Sequence, residues 1–336
     1  MKWRFKYFKH RIKQVLGKKK WVINQYNDLI KQSKSCKNTW YNRLDCLCAY
    51  LMFGAEAEDY FAGLFFEHRN PFYRNKCVTR KRLIFIKKML NSSSVLETLN
   101  SKEKFNILYK DYIGRKWCNI SEIEENDFVE KLSSEQGYVI VKPEDGFGGR
   151  GVFKSSADET NLRKLFKELR EDGKKYIVEE YINQTGFLHD VNPSSLNTVR
   201  LITGRCRNEI IPMHSYFRAG GANSVVDNLH SDGVCYPIDY KTGEIYGGIT
   251  WKEGSIEVHP STGIKVAGYK IPRWNEVVEF AIKLHRMAPV GANLIGWDLC
   301  ITEDRILVIE GNGGPGFIPE MGYNTWKMAR NLMNNL

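Results

Sequence analysis

Two constellations in the sequence have residue types and spacing suited to phosphate chemistry. The first is "VIVKPEDGFGGRGVFK", residues 139–154, in which Gly146, Gly148 and Gly151 stand in G-x-G-x-x-G spacing. Dinucleotide-binding turns and phosphate loops share that spacing. A dinucleotide turn needs its glycines between a strand and a helix N-terminus, where backbone N–H groups and the helix dipole meet the pyrophosphate. Here "YVIVKP" precedes the glycines, but the strand-like "GVFKS" follows, and a helix is expected only from near Asp158. No Gly-Lys-Ser/Thr closes the loop, so a P-loop is excluded as well. The pattern predicts a hairpin whose backbone N–H groups, along Gly146, Phe147, Gly148, Gly149 and Gly151, fold over phosphates. Lys142 on the entering strand is a point charge suited to a phosphate oxygen. A plain glycine-rich hairpin with an exposed lysine is the competing reading at this level.

The second constellation is "GWDLCITEDRILVIEGNGGPGF", two apolar strands around a polar turn at residues 303–305. A hairpin centred near residue 304 sets Asp298 and Glu310 directly opposite each other. Asn312, two residues further on, faces the same side as Glu310. Two opposed carboxylates repel unless a cation sits between them, and carboxylate and amide oxygens are the ligands that hard magnesium takes alongside nucleotide phosphates. Pairing of the acids with Lys or Arg is the alternative. Trp297, Leu299, Val308 and Ile309 bracket the acids, so the hairpin that carries them is mostly apolar.

Weaker signals lie between these two. "KKYIVEEYINQ" carries Glu179 and Glu180 into a polar turn through Tyr181 and Ile182, a place where adenine can pair with backbone groups. "SLNTVRLITGR" puts Asn197, Thr198 and Arg200 near a strand start, and "YFRAGGANSVVDNLHSDGV" supplies Arg218, Asp227 and Asn228. Arginine suits bidentate binding of carboxylate or phosphate. No G-x-S-x-G elbow is present, and neither a cysteine nor His189, His214 or His230 has a triad setting.

The elements that must position these residues fall into two textures. Residues 1–95 read as mostly helical, with "LDCLCAYLMFGAEAEDYFAGLFF" a long apolar stretch and "TRKRLIFIKKML" following the break at Asn70-Pro71. From about residue 136, short β-branched runs such as "TVRLITG", "EIIPMHSYF" and "ILVIEGN" alternate with turns and with two amphipathic helices, "DETNLRKLFKELRED" and "WNEVVEFAIKLHRMA". An α+β body behind a helical N-terminal region is expected. At 336 residues and 42% hydrophobic composition the chain can bury a sizeable core. It has no run of the roughly 18 apolar residues that spans a bilayer and no signal-peptide core, so a cytoplasmic location is expected. The eight scattered cysteines form no C-x-x-C pair, which argues against structural zinc and a disulfide framework.

The net charge of +11 is concentrated at one end. Residues 1–20 hold nine Lys or Arg and no acid, leaving about +2 over the remaining 316 residues. Phe5, Phe8, Ile12, Val15 and Leu16 recur at helical intervals within that segment. Residues 1–20 therefore read either as an amphipathic helix for peripheral contact with the inner, anionic face of a membrane or as a solvated helix packed on the body. Nucleic-acid binding is not expected, because no zinc finger or aromatic RNA-binding signature accompanies the charge.

In chain order, a strand lysine, a glycine hairpin, "VEEYI", "LNTVR", "VDN" and "GWD…IEGN…PG" resemble the ATP-grasp superfamily, and most closely its sugar-transfer-associated family. The resemblance covers roughly residues 40–325. It implies an α+β ATP-grasp fold in which two subdomains sandwich ATP: a helical region over 1–95, a small subdomain with lid and adenine hinge over 96–183, and a C-terminal subdomain with the metal site over 184–336. By the same resemblance Lys142 touches the α- and β-phosphates and residues 146–151 close over them. Glu179, Glu180, Tyr181 and Ile182 form the hinge, Asn197 joins the nucleotide contacts, and Asp298, Glu310 and Asn312 hold Mg2+. An earlier phosphate lysine is expected in "NSKEKF", as Lys102 in preference to Lys104. Many ATP-grasp ligases place an arginine two residues before the metal aspartate; here that residue is Gly296, so Arg200 or Arg218 is expected to take the role.

The chemistry implied is transfer of the ATP γ-phosphoryl group to a carboxylate, giving an acylphosphate that an amine attacks. The family's association with bacterial polysaccharide genes implies an acidic sugar and an amine such as an amino acid. The alternatives are a kinase on the same fold, acting on a sugar or other small molecule, and a non-catalytic nucleotide-binding scaffold of a glycosyltransferase complex.

Overall fold

The short runs after residue 115 form two antiparallel sheets. The computed structural model describes residues 19–146, 148–222, 224, 227, 233–250, 252–318 and 324–335. Most of the basic N-terminal segment, Phe147, Asn228 and His230 lie outside the described residues. The smaller sheet is built from β1 (Trp117–Asn119), β2 (Tyr138–Pro143), β3 (Phe153–Ser156) and β4 (Tyr176–Glu180), in the order β1-β4-β2-β3. The "GVFKS" run is thus a strand, and Val141 pairs with Phe153 across the glycine loop. The helix Glu159–Glu171 starts where Asp158 accepts a hydrogen bond from the Asn161 N–H at 2.9 Å. Its Leu162, Leu165, Phe166 and Leu169 pack on Val139 and Val141 of the sheet.

The larger sheet runs β11-β10-β5-β6-β7-β8-β9. Its strands are β5 (Thr198–Cys206), β6 (Glu209–Ala219), β7 (Val234–Ile238), β8 (Gly248–Thr250), β9 (Gly254–Ile256), β10 (Leu294–Ile301) and β11 (Ile306–Asn312). Residues of β5 and β10 alternate between two covered faces. Leu201, Ile295 and Trp297 face the helix Trp274–Met287, while Ile202 and Leu294 face the helices Arg80–Leu90 and Thr325–Asn334. That double cover explains why β10 is buried along its whole length and reads as a near-continuous apolar run. The short strands β7 to β9 add to this sheet without a distinctive signal in the sequence.

The helical N-terminal region has a core of its own, in which Tyr26, Tyr50 and Tyr60 sit among buried aliphatic residues. The long apolar stretch expected there is cut in two. Gly54, at φ 72, caps the helix Trp40–Phe53 in the left-handed conformation that glycine adopts at least cost, and a second helix, Ala57–Ala62, follows. The helices Ser93–Asn100 and Lys102–Leu108 pack with the larger sheet, through Val95, Leu99 and Phe105, although the sequence groups them with the smaller one. Their apolar faces match the inner face of β11. All eight cysteines are free, and no helix among the described residues is long and apolar enough to cross a membrane.

One side chain fastens the N-terminal helices to the larger sheet. The Asn91 amide donates to the Leu294 and Gly313 carbonyls at 2.7 and 2.6 Å, and its oxygen accepts from the Asn293 and Leu294 N–H groups at 2.8 and 3.0 Å. Asn91→Ala leaves those buried groups unpaired and should lower unfolding free energy by about 2–4 kcal/mol, measured by urea denaturation. Two buried histidines give the fold a pH dependence. Burial pushes His214 down to about 3 and His285 down to about 4, from 6.5 in the unfolded chain. Protons therefore bind the unfolded chain more readily, so stability present above about pH 6.5 is lost as pH falls below it. Each histidine should remove about 1.4 kcal/mol per pH unit between those values, seen as a falling thermal midpoint.

Candidate active site

The two sheets meet at a cleft whose walls hold most of the residues singled out above. On the smaller sheet, β2 delivers Lys142 and then turns at Pro143 into the glycine hairpin. Gly148, Gly149 and Gly151 have φ of 68, 74 and 73, where a Cβ is strained, and a Cβ on Gly151 would lie 2.9 Å from Pro143. The hairpin thus depends on glycine for its backbone path. Lys102, at the start of its helix, donates to the carbonyls of Glu144 and Gly146 at 2.9 and 3.0 Å, and burial lowers its pKa. Lys104 instead pairs with Glu97 on the exposed side. Lys102 lines the cleft with Lys142.

Glu179 departs from a purely backbone hinge role. Its carboxylate is buried and accepts from Arg115 at 2.8 and 3.1 Å, from Asn106 at 3.0 Å and from Lys142 at 2.5 Å. Burial opposes its ionisation, but the Arg115 and Lys142 charges prevail and hold the carboxyl well below the usual range. Arg115 also donates to the Val308 and Ile309 carbonyls of β11, at 3.0 and 3.1 Å. Arg115 and Asn106 were not singled out from the sequence, where neither belongs to a patterned stretch. Beyond Glu179, β4 ends at Glu180, and Tyr181 and Ile182 run along the cleft.

The hairpin β10–β11 sets Asp298 opposite Glu310 as expected, but through a bulge. Nearer the turn Leu299 pairs with Val308 and Ile301 with Ile306, and the register shifts by one residue between Leu299 and Asp298. Its turn is closed by Thr302, whose hydroxyl accepts from the Arg305 N–H at 3.1 Å while its N–H donates to the Arg305 carbonyl at 3.0 Å. Asp298 is buried and clamped by two arginines. The Arg200 Nε and Nη2 donate to its two oxygens, the second at 2.8 Å, and the Arg218 Nη2 lies 2.7 Å from Oδ2. Burial disfavours the Asp298 charge, yet Arg200 and Arg218 outweigh it and hold its carboxyl well below the usual range. Half of the Glu310 side chain is open to the cleft. The crowding of the cleft and then the Asp298 charge raise its pKa, and the Asn312 amide donates to it at 3.0 Å. The two opposed acids therefore occupy different electrostatic states, one neutralised by arginines and one short of cations.

Gly296 has a steric reason. A Cβ there would sit 2.4 Å from Pro315 and 3.0 Å from the Arg200 Cδ, so the space of an arginine at 296 is filled by Arg200 crossing from β5. Arg218 is held in turn by Thr198, at 3.1 and 2.7 Å, and by Asp227 at 3.4 Å. Asn197 is not brought to the cleft. It is fully buried, accepting from Ser195 at 2.5 Å and donating to the Leu188 and Asn192 carbonyls at 2.8 and 2.9 Å. Its side chain orders the loop before β5.

The sequence matches the family described as sugar-transfer associated ATP-grasp over residues 70–333. A 55-residue stretch is 38% identical to the glutathione synthetase of Ralstonia nicotianae, covering 16% of this chain and 17% of that protein. Among solved structures, D-alanine–D-alanine ligase from Bacillus anthracis complexed with ATP has a TM-score of 0.46 at 12% identity, over 73% of this chain and 68% of that one. N5-carboxyaminoimidazole synthase from Aspergillus clavatus, in complex with ADP, has a TM-score of 0.41 at 9% identity, over 69% of this chain and 50% of that one. The chain thus spans half the length of that synthase and a small part of the curated relative. The family match extends over well more than half of the sequence, from the helix Pro71–Lys76 into the C-terminal helix Thr325–Asn334, and this chain belongs to the sugar-transfer associated ATP-grasp family.

Proposed function

We propose that this chain is an ATP- and magnesium-dependent carboxylate–amine ligase. The observation that carries the proposal is convergence: Lys102, Lys142 and the glycine hairpin from one side, and Asp298, Glu310 and Asn312 from the other, line a single cleft. Among the described cleft residues there is no Ser, Cys or His, and the Thr198 hydroxyl is committed to Asp227. Such a site favours direct phosphoryl transfer between bound substrates, driven by alignment and charge neutralisation, over a covalent enzyme intermediate.

In this reading the backbone along Glu180–Ile182 takes the adenine, and Lys142 turns from Glu179 to the α- and β-phosphates. Glu310 and Asn312 offer hard oxygens that fit magnesium, and Asp298, whose two oxygens already accept from Arg200 and Arg218, would reach the cation only through its remaining lone pairs. Among the described residues no three His, Cys, Asp or Glu side chains group closely enough to hold a metal by themselves. Asn312 and the nucleotide phosphates would complete the set, and the cation would neutralise phosphate charge. Of the two expected arginines only Arg218 lines the cleft, where it would supply fixed positive charge as the acyl group gains negative charge, while Arg200 is buried against Asp298. The γ-phosphoryl group passes to a carboxylate oxygen, releasing ADP; the amine nitrogen then attacks the acyl carbon, expels phosphate and loses a proton. The family's sugar-transfer association supports an acidic sugar as the carboxylate, an amino acid as the amine, and a place in bacterial surface polysaccharide synthesis. Residues 1–20 would add peripheral attachment at the inner face of the membrane.

Glu310→Gln should lower ATP turnover by about 100-fold or more while leaving thermal stability equal or higher, because the substitution removes a charge that Asp298 repels. Unchanged ADP release would contradict the metal assignment. Incubation of the protein with ATP, amino acids and uronic acids should yield, by mass spectrometry, a condensed product one water lighter than the two substrates together. A stable phosphorylated sugar as the sole product would replace the ligase with a kinase.

A further inference from the structure

The helix Trp40–Phe53 is apolar on both sides. Its inner side buries Cys46, Ala49, Tyr50 and Phe53 in the N-terminal core. Its outer side carries Trp40, Leu44, Cys48 and Met52 at four-residue spacing, and Trp40, Leu44 and Met52 are 75%, 50% and 66% exposed. Surface helices ordinarily turn a polar face to water. This one has Arg43 and Asp45 as its charged residues, and Asp45 is engaged by Arg74 at 2.8 and 2.7 Å and by the Tyr60 hydroxyl at 2.9 Å. From residue 40 to 52 the stripe extends about 18 Å. The Arg74–Asp45 pair docks the helix Pro71–Lys76 alongside, and that helix adds Phe72, 79% exposed.

The charge distribution indicates what meets this face. Even without the basic first 20 residues, residues 21–95 contain 12 Lys or Arg against six acids, whereas residues 96–336 contain 29 against 33. Arg43 on the helix and Lys37 three residues before it are exposed, Lys76 is exposed on the helix that carries Phe72, and the Arg69 guanidinium lies 4.5 Å over the Tyr41 ring. An apolar stripe flanked by cations matches an anionic bilayer: the acyl region takes the apolar side chains, the headgroups attract the cations, and Trp and Tyr suit the boundary. A two-fold dimer through the same face would instead oppose two basic surfaces.

We infer that the outer face of the helix Trp40–Phe53, with Phe72, docks this protein on an anionic lipid surface. The inference depends neither on the chemistry proposed above nor on residues 1–20. The full chain should co-sediment with vesicles of phosphatidylcholine and phosphatidylglycerol, and much less with phosphatidylcholine alone. The double substitution Leu44→Glu with Met52→Glu changes two exposed positions and should keep the circular dichroism spectrum and thermal midpoint. It should reduce vesicle partitioning by at least about tenfold, because two apolar side chains no longer enter the bilayer. Three outcomes would overturn the inference: wild-type protein that ignores anionic vesicles, a double variant that binds as well as wild type, or a wild-type dimer that the double variant dissolves. Deleting residues 1–20 in both backgrounds separates that segment's contribution. If the deletion alone removes all binding while the double variant binds as wild type, the stripe is not the docking face.

Discussion

The cleft depends on one buried carboxylate. Glu179 belongs to the smaller sheet, yet the arginine that neutralises it is bonded to the backbone of β11 in the larger sheet. Arg115 therefore joins the two sheets directly beside the strand that carries Glu310 and Asn312. A buried ion pair of this kind contributes little net stability, since desolvation offsets most of the Coulomb attraction, but it fixes geometry. Lys142 is the third member, only part-buried, and it shares a carboxylate that Arg115 and Asn106 already satisfy. Exchange of Lys142 from Glu179 to a phosphate would thus leave no buried charge alone. If Lys142 binds phosphate as proposed, the resting cleft holds that cation on a partner that can release it.

The opposing wall shows the same logic with reversed sign. Two carboxylates face each other in one hairpin, and the repulsion is resolved by giving one of them two arginines. Asp298 is electrostatically complete without any added ion, while Glu310 is not. Asp298 is therefore best placed to order the arginines, and Glu310 to respond to a ligand.

Much of this was legible in the sequence because it follows from short-range rules. A polar turn between two apolar runs is enough to bring Asp298 and Glu310 within one residue of each other. The turn register alone, however, would set Asp298 against Ile309, and the bulge between Asp298 and Leu299, which no short-range pattern announced, puts the acids directly opposite. The strand after the glycine loop was visible from its apolar residues, as were the helices beginning after Asp158 and at Trp274. Less was legible where long-range contacts decide. Arg115 is a lone arginine in a loop, and its importance comes from carbonyls about 190 residues away. Asn197 looked like a ligand because it adjoins Thr198 and Arg200, but strand alternation does not govern the loop before β5, and local backbone groups claimed its amide. The N-terminal helices read as one long apolar run because hydrophobicity does not reveal a chain reversal; Gly54 does, through its left-handed conformation.

The packing at Gly296 also constrains how such a site changes over time. The space that an arginine would need at 296 is filled by Pro315 and by the shaft of Arg200, so a single substitution to arginine meets a clash on each side. Moving the cation from β5 to β10 would require a smaller residue at 315 and the loss of Arg200 in the same lineage. Each of those changes made first would leave Asp298 one cation short or open a void beside it. The two arrangements of the same charge are therefore separated by a valley of less stable intermediates, and a lineage that holds one of them tends to keep it.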